Sequence, residues 1–312
     1  MKIPDGSGWG YLPPLRRWRQ FDFNMKKIDY RILTLILLTV SSGRLDAASL
    51  KVGPAGFIIH NVVPGKDYDV YKATGLQLTI YNDSTEAKTY LLSAHRPSEG
   101  GTWEKGYLEI PDAQWCRFEH DEVTIAANSN AYARFNLKIP DAERYYNQHW
   151  VVTLNIAGKP GPGGGMGVAI NVRAQIETKS RADLKGVIPD GPIGVVPAVI
   201  TLNVKEKGEV VIFNNSATNE TYKIYPLADK DKFQKYISSG FSALPEPDWL
   251  KLGDGRLTIP AGGRKTLGLN SALPENETSS DKKYESIIFI EGQGATGFVR
   301  VRIVGEEQKK SR

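Results

Sequence analysis

Cysteine is nearly missing from this chain of 312 residues, where Cys116 stands alone. A single thiol closes no internal disulfide, so the fold must hold by burial. Beside Trp115, Cys116 reads as a small buried apolar residue. Histidine is scarce as well. His60, His95, His120 and His149 have no second His or Cys at a spacing that would put two ligands on one element. There is no Gly-x-Ser-x-Gly elbow, and Cys116 has no evident base partner. The adjacent carboxylates Asp121 and Glu122 would point to opposite faces of a strand, which is wrong for a general acid and base pair. The glycine-rich stretch 158–167 lacks the Gly-Lys-Ser/Thr of a phosphate loop. Long amphipathic helical patterns between strands are also lacking, which argues against an α/β protein. The expectation is a non-enzyme with no catalytic, metal or cofactor site.

Charge gives little direction. Forty Lys and Arg against 35 Asp and Glu leave a net +5. The excess sits mainly before residue 49 and in the tail, so nucleic acid is not an expected partner. Residues 25–48 follow the three-part layout of a signal peptide: Met25-Lys26-Lys27, an apolar run from Ile32 to Val40, then small residues to Ala48. That run is too short to cross about 30 Å of hydrocarbon. Residues 1–24 read as an upstream extension or disordered tail. The expectation is an exported protein, periplasmic, cell-surface or extracellular, with no stable membrane span after cleavage.

What the chain does have is a long motif written twice. Trp115 is followed by Ile125, Pro140 and Ile156 at separations of 10, 25 and 41, and Trp249 is followed by Ile259, Pro274 and Ile290 at the same three. LTIYNDSTEAKTYLL (78–92) matches VVIFNNSATNETYKIY (210–225), and NVRAQI (171–176) matches RVRIV (300–304). This reads as two tandem domains, 49–182 and 197–305. A proline-containing connector, 183–196, joins them, and a charged tail, 306–312, ends the chain. Trp115, Trp249, Ile125 and Ile259 are the expected core markers.

Within each copy the periodicity is two. Residues 75–81 alternate and end in a polar turn, and 88–92 are expected to return as a hairpin partner. From Ala131 to Ile139, Ala133, Phe135, Leu137 and Ile139 share one face, with Tyr132, Arg134, Asn136 and Lys138 on the other. About seven short strands with turns between them predict an all-β chain of two antiparallel sandwiches. Phe233, Tyr236 and Ile237 fall at helical spacing within 229–239. Asn82, Asn214, Asn219 and Asn276 head Asn-x-Ser/Thr triplets, which matter only in a glycosylating host.

The strand ending in Tyr81-Asn82-Asp83-Ser84, then Trp115, then Thr124 to Ser129 and Leu137-Lys138-Ile139-Pro140, together with their second-copy equivalents, resembles the immunoglobulin-like sandwiches of the major-sperm-protein and pilus-chaperone type. Bacterial cell-surface sandwich domains look similar. The leader, the duplication and the absence of any catalytic set lead to the expectation of an exported interaction module of the envelope or surface, bound to another envelope or surface protein or to cell-wall glycan. The alternative is a periplasmic assembly chaperone, which would anchor a subunit through paired basic residues and strand addition, or a carbohydrate-binding accessory protein. Candidate contact residues are the aromatics Trp103, Tyr145, Tyr146 and Trp150, the strand cations Arg134 and Arg173, and the loop glycines Gly163, Gly164 and Gly165.

Overall fold

Alternating apolar residues make strands, and here they make almost nothing else. The computed structural model describes residues 50–160, 167–227, 236–279 and 281–305, all in one compact unit. The first half contains β1 (Leu50–Gly53), β2 (Gly56–Val62), β3 (Asp67–Asp69), a one-turn helix α1 (Val70–Thr74), β4 (Leu78–Asn82), β5 (Lys88–His95), β6 (Leu108–Glu109), β7 (Cys116–Phe118), β8 (Glu122–Ile125), β9 (Ser129–Ala133), β10 (Phe135–Lys138), β11 (His149–Gly158) and β12 (Ala169–Thr178). The second half contains β13 (Ile193–Val196), β14 (Val199–Asn203), β15 (Lys207–Asn214), β16 (Glu220–Pro226), β17 (Ser242–Ala243), β18 (Leu250–Leu252), β19 (Arg256–Ile259), β20 (Arg264–Ser271), β21 (Lys283–Glu291) and β22 (Thr296–Val304).

In the first sandwich one layer is β1-β4-β9, continued through Arg134 into β10 with β7 and β3 beside it. The other is β2-β12-β11-β5-β8, with β6 added on β11. Leu78, Ile80, Phe135 and Leu137 from one layer meet Leu92, Leu154, Ile156 and Val172 from the other in a single core. The second sandwich repeats the order: β13-β15-β20-β18 faces β14-β22-β21-β16-β19, with β17 on β21. Its core is built alike, from Ile212, Leu267 and Leu269 against Ile288, Ile290, Val299 and Val301. Each sandwich is an immunoglobulin-like all-β unit.

Several details differ from the sequence reading. The segments 78–82 and 88–95 are not a hairpin. β4 pairs with β1 and β9, whereas β5 pairs with β11 and β8, so the chain crosses between layers at Asn82. The buried Asn82 side chain makes that crossing possible. Its Nδ2 donates to the carbonyls of Glu86, Ile125 and Ala126 at 2.8, 3.0 and 3.0 Å, and its Oδ1 accepts from Ser84 N and Oγ. The layers are not wholly antiparallel either, since β2-β12, β6-β11, β14-β22 and β17-β21 are parallel. Residues 193–196, read as the end of the connector, form β13, a strand whose four residues are all buried and which pairs with β15.

Both sides of each sandwich are finished by a strand that changes layer. β1 and β2, and likewise β13 and β14, lie in opposite layers on either side of Pro54 and Pro197. β7 and β8 do the same at the other side. Short, switched edges offer less unpaired backbone to a neighbouring chain than one long edge strand would.

Candidate interaction site at the junction of the sandwiches

Period-two alternation sends half of each strand away from its own core. On β12, Val172, Ala174 and Ile176 point inward, which turns Arg173, Gln175 and Glu177 outward. On β22, Val299, Val301 and Ile303 point inward, which turns Phe298, Arg300 and Arg302 outward. In a lone sandwich these outward faces would meet water. Here they meet each other, and Glu177, Glu285 and Arg300 are each at most 2% exposed.

Burying three charges is costly unless every one is paired and hydrogen-bonded. Arg300 grips Glu177 with both sides of its fork, Nη2 to Oε1 at 2.5 Å and Nε to Oε2 at 3.2 Å. Its Nη1 reaches Glu285 Oε1 at 3.0 Å and donates to the Tyr236 carbonyl. Glu177 also accepts from Tyr107 Oη at 2.6 Å, and His60 Nδ1 lies 2.9 Å from its other oxygen. Glu285 accepts from Ser238 N and Oγ. Burial works against the Glu177 charge, yet Arg300 and the His60 bond hold its carboxyl well below the usual range. Burial also pushes the Tyr107 hydroxyl well up, with Glu177 adding to it.

An apolar patch surrounds this network: Tyr107 and Val151 from the first sandwich, Tyr236, Ile287, Phe289 and Phe298 from the second. His149 stacks on Phe298 with ring centroids 3.7 Å apart and planes 3° from parallel. Burial lowers its pKa to about 4, so it packs as a neutral ring. Gly106 is required where it stands. Its φ is +85°, and a Cβ there would come within 2.6 Å of Phe298 Cδ1.

Beside the junction opens a cleft of about 580 Å³, walled by residues 103–109, 190–192 and 291–296. A second groove, about 760 Å³, lies in the first sandwich between the end of β5 and β7, with Arg96, Glu99, Asp112 and Arg117 along it.

Among the described residues, the first part of β12 has an open edge. Arg173 N donates to Ala55 O on the β2 side, and Gly158 N donates to Val168 O on the β11 side. Alternation along β12 then turns the peptide groups of Ala169 and Asn171 outward. Pairing with β2 begins only at Arg173, so among the described residues no strand covers them. Val168 is exposed, Ile170 half-buried and Val172 buried along this stretch.

The sequence candidates scatter. Tyr145 and Trp150 are buried and pack edge-on with Trp115, at 5.0 and 5.6 Å between centroids, so as they stand they offer no aromatic platform. Tyr146 is half-buried, with the Arg181 guanidinium over its ring. Trp103 alone of the four is well exposed, at 56%, on the rim of the cleft. Ile125 and Ile259 are buried, and Trp115 and Trp249 sit half-buried at the core margin, each edge-on to the equivalent ring Trp150 or Tyr284. Arg134 and Arg173 are not brought together. Arg134 covers the Tyr71 ring and bonds Gln77, while Arg173 pairs with Glu104 at 2.9 Å. Gly163, Gly164 and Gly165 lie outside the described residues, as does most of 229–239. Tyr236 and Ile237 of that stretch pack into the junction.

The words NVRAQI and RVRIV place Arg173 opposite Arg302. Register instead makes Arg300 the counterpart of Arg173, since Arg173 pairs with Thr153 and Arg300 with Ile287, two positions that share the 134-residue offset of Trp115 and Trp249. A shorter β21–β22 turn shifts the match by two, so the parity of the pattern hid the slip. The buried network was missed because Glu177, Glu285 and Arg300 look like solvent-facing residues of ordinary strands. The only signal was a run without polar relief on either face, such as Ser286 to Ile290.

Among the described residues no helix is long and apolar enough to cross a membrane, and no group of three or more His, Cys, Asp or Glu is placed to hold a metal ion. No protein-family model matches the chain, and no curated protein matches it. Solved structures do. A Porphyromonas gingivalis W83 protein of unknown function is 12% identical, covering 82% of this chain and 99% of its own, with a TM-score of 0.32. The periplasmic chaperone SfaE is 10% identical over 82% of this chain and 100% of its own, at 0.30. WR4, a Caenorhabditis elegans member of the major-sperm-protein family, is 14% identical over 38% of this chain and 100% of its own, at 0.25. The chain is thus similar to sandwiches of the two kinds its motifs resemble.

Proposed function

We propose that this is an exported, non-enzymatic binding protein of the cell envelope or surface, and that it takes an extended segment of another exported protein onto the open edge of β12. The observation that carries this is the pair of outward peptide groups at Ala169 and Asn171, on a stretch whose apolar side chains Val168, Ile170 and Val172 alternate. An added strand would satisfy both peptide groups and continue the layer beyond β2. The buried, ion-paired junction supports the same reading, because sandwiches held by it would present that edge in one orientation and lose little freedom on binding.

A chaperone for secreted subunits is the form of this function that strand addition favours, although the paired basic anchor expected for it is not assembled from Arg134 and Arg173. The test is Ala169→Pro, which removes an outward N–H and leaves the bonds to β11 in place. Capture of exported proteins from the producing cell, followed by crosslinking to β12, should give one dominant partner, lost in the proline variant at unchanged melting temperature. Equal capture by both forms would end this reading.

A further inference from the structure

The cleft beside the junction is built by three separate parts of the chain, drawn from both sandwiches. Its volume, about 580 Å³, is within the range of small-ligand sites, and sites of that kind favour domain boundaries. On its rim Trp103 leaves more than half its surface to solvent, whereas Trp115, Trp150 and Trp249 are packed against neighbouring rings. A large exposed indole beside a cleft is an unfilled stacking surface.

Of the charged groups that line it, Lys105, Glu104, Glu109 and Glu291 are already matched. Lys105 Nζ bonds Glu291 at 3.1 Å and the Tyr225 hydroxyl at 2.7 Å. Glu104 pairs with Arg173, and Glu109 accepts from Ser98 N and lies 3.7 Å from Arg96. The cleft therefore presents no cationic field for a phosphate or another anion. Asp190, Gln293 and Thr296 line it and make no side-chain hydrogen bond among the described residues. A carboxylate, an amide and a hydroxyl near an exposed indole match a ring with one apolar face and a rim of neutral hydroxyls. Backbone approaches closely here too. Gly191, at φ +91°, lies where a Cβ would strike Leu108 at 2.6 Å.

We infer that this cleft binds a neutral saccharide, with one pyranose face on Trp103 and its hydroxyls on Asp190 and Gln293. This is a second binding activity, separate from the β12 edge. Tryptophan emission of the full chain titrated with cellotriose, maltotriose and chitotriose should show saturable binding to at least one of them, with Kd on the order of 1 mM. Trp103→Ala should weaken it about tenfold or more at unchanged melting temperature, and Asp190→Asn or Gln293→Ala should weaken it several-fold. Ala169→Pro should leave it untouched, which separates this result from the fate of the strand-edge reading. Trilysine is the counter-probe, since cations also stack on indole. Failure of all three saccharides to saturate, binding of trilysine in their place, or full affinity in Trp103→Ala would each overturn the inference.

Discussion

Asn82 and Asn214 hold the same place in the two sandwiches and make the same bonds. Asn214 Nδ2 donates to the carbonyls of Thr218, Ile259 and Pro260 at 2.8, 3.0 and 3.1 Å, as Asn82 does to Glu86, Ile125 and Ala126. Each Oδ1 takes a hydroxyl two residues on, Ser84 or Ser216, at 2.6 Å. The repeated Asn-x-Ser is therefore a latch between layers, and both asparagines are fully buried.

Removing a latch takes the side-chain donor from the carbonyl of buried Ile125 or Ile259 and empties a fully buried position. Asn82→Ala or Asn214→Ala should each cost about 3 kcal/mol, on the scale of buried groups left unpaired. Urea denaturation would show it as a lower midpoint at similar slope. Asn82→Asp should be no better, because a carboxylate aims a second acceptor at three carbonyls. A loss below about 0.5 kcal/mol for the alanine variants, typical of a plain surface site, would contradict the latch. Since Nδ2 is spent inside, neither asparagine should carry a glycan in the folded protein.

Cys116 is fully buried, and burial alone pushes its thiol pKa up to about 12. Thiolate is the reactive form. A disulfide reagent at pH 8 should therefore leave the native protein unmodified, then label one thiol per chain in denaturant at the rate of an ordinary cysteine. Prompt labelling of the native state would show that the β7 region opens.

The layers were legible in the sequence because alternation is a local property. The strand from Ala131 to Ile139 has the four residues assigned inward buried and their neighbours half-buried or exposed. Which strands share a layer was not legible. The turn after Asn82 has the composition of a hairpin, and only the bonds from its side chain to Ile125 and Ala126 show that the chain crosses over. The short helix α1 was also invisible. It rests on an Asp69 cap and Gly75 at its end, with too few residues for periodicity. For the junction the reason is different: Glu177 and Arg300 are 123 residues apart, and no pattern within either repeat requires them to meet.

Acid should loosen the junction before it unfolds either core. Neutral His149 is stacked on Phe298, and its folded pKa of about 4 lies below the ordinary 6.5. The unfolded chain thus binds the proton first. The stability His149 contributes is complete above pH 6.5 and is lost as pH falls through 4, a total of about 3 kcal/mol. Glu177, depressed well below 4.5, adds a loss of the same sign at lower pH. Between pH 7 and 5 the wild type should lose stability with a slope that His149→Phe removes. An unchanged slope in that variant would mean that other groups set the acid response.

The buried pair across the junction decides whether two sandwiches melt as one. Arg300→Met takes from Glu177 and Glu285 the guanidinium they share, leaving His60 and Tyr107 on the first and Arg302 and Ser238 on the second, and breaking a buried pair costs about 3–5 kcal/mol. Most of that penalty belongs to the two carboxylates, so a triple variant with Glu177→Gln and Glu285→Gln should recover much of it. Calorimetry should show a single transition for the wild type, because Tyr107, Val151, Phe289 and Phe298 share one apolar patch across the boundary. The Arg300→Met protein should separate into two transitions, the sandwiches unfolding independently once their common face is weakened. Two transitions already present in the wild type would show that the interface adds little, and that the β12 edge is not held in a fixed direction.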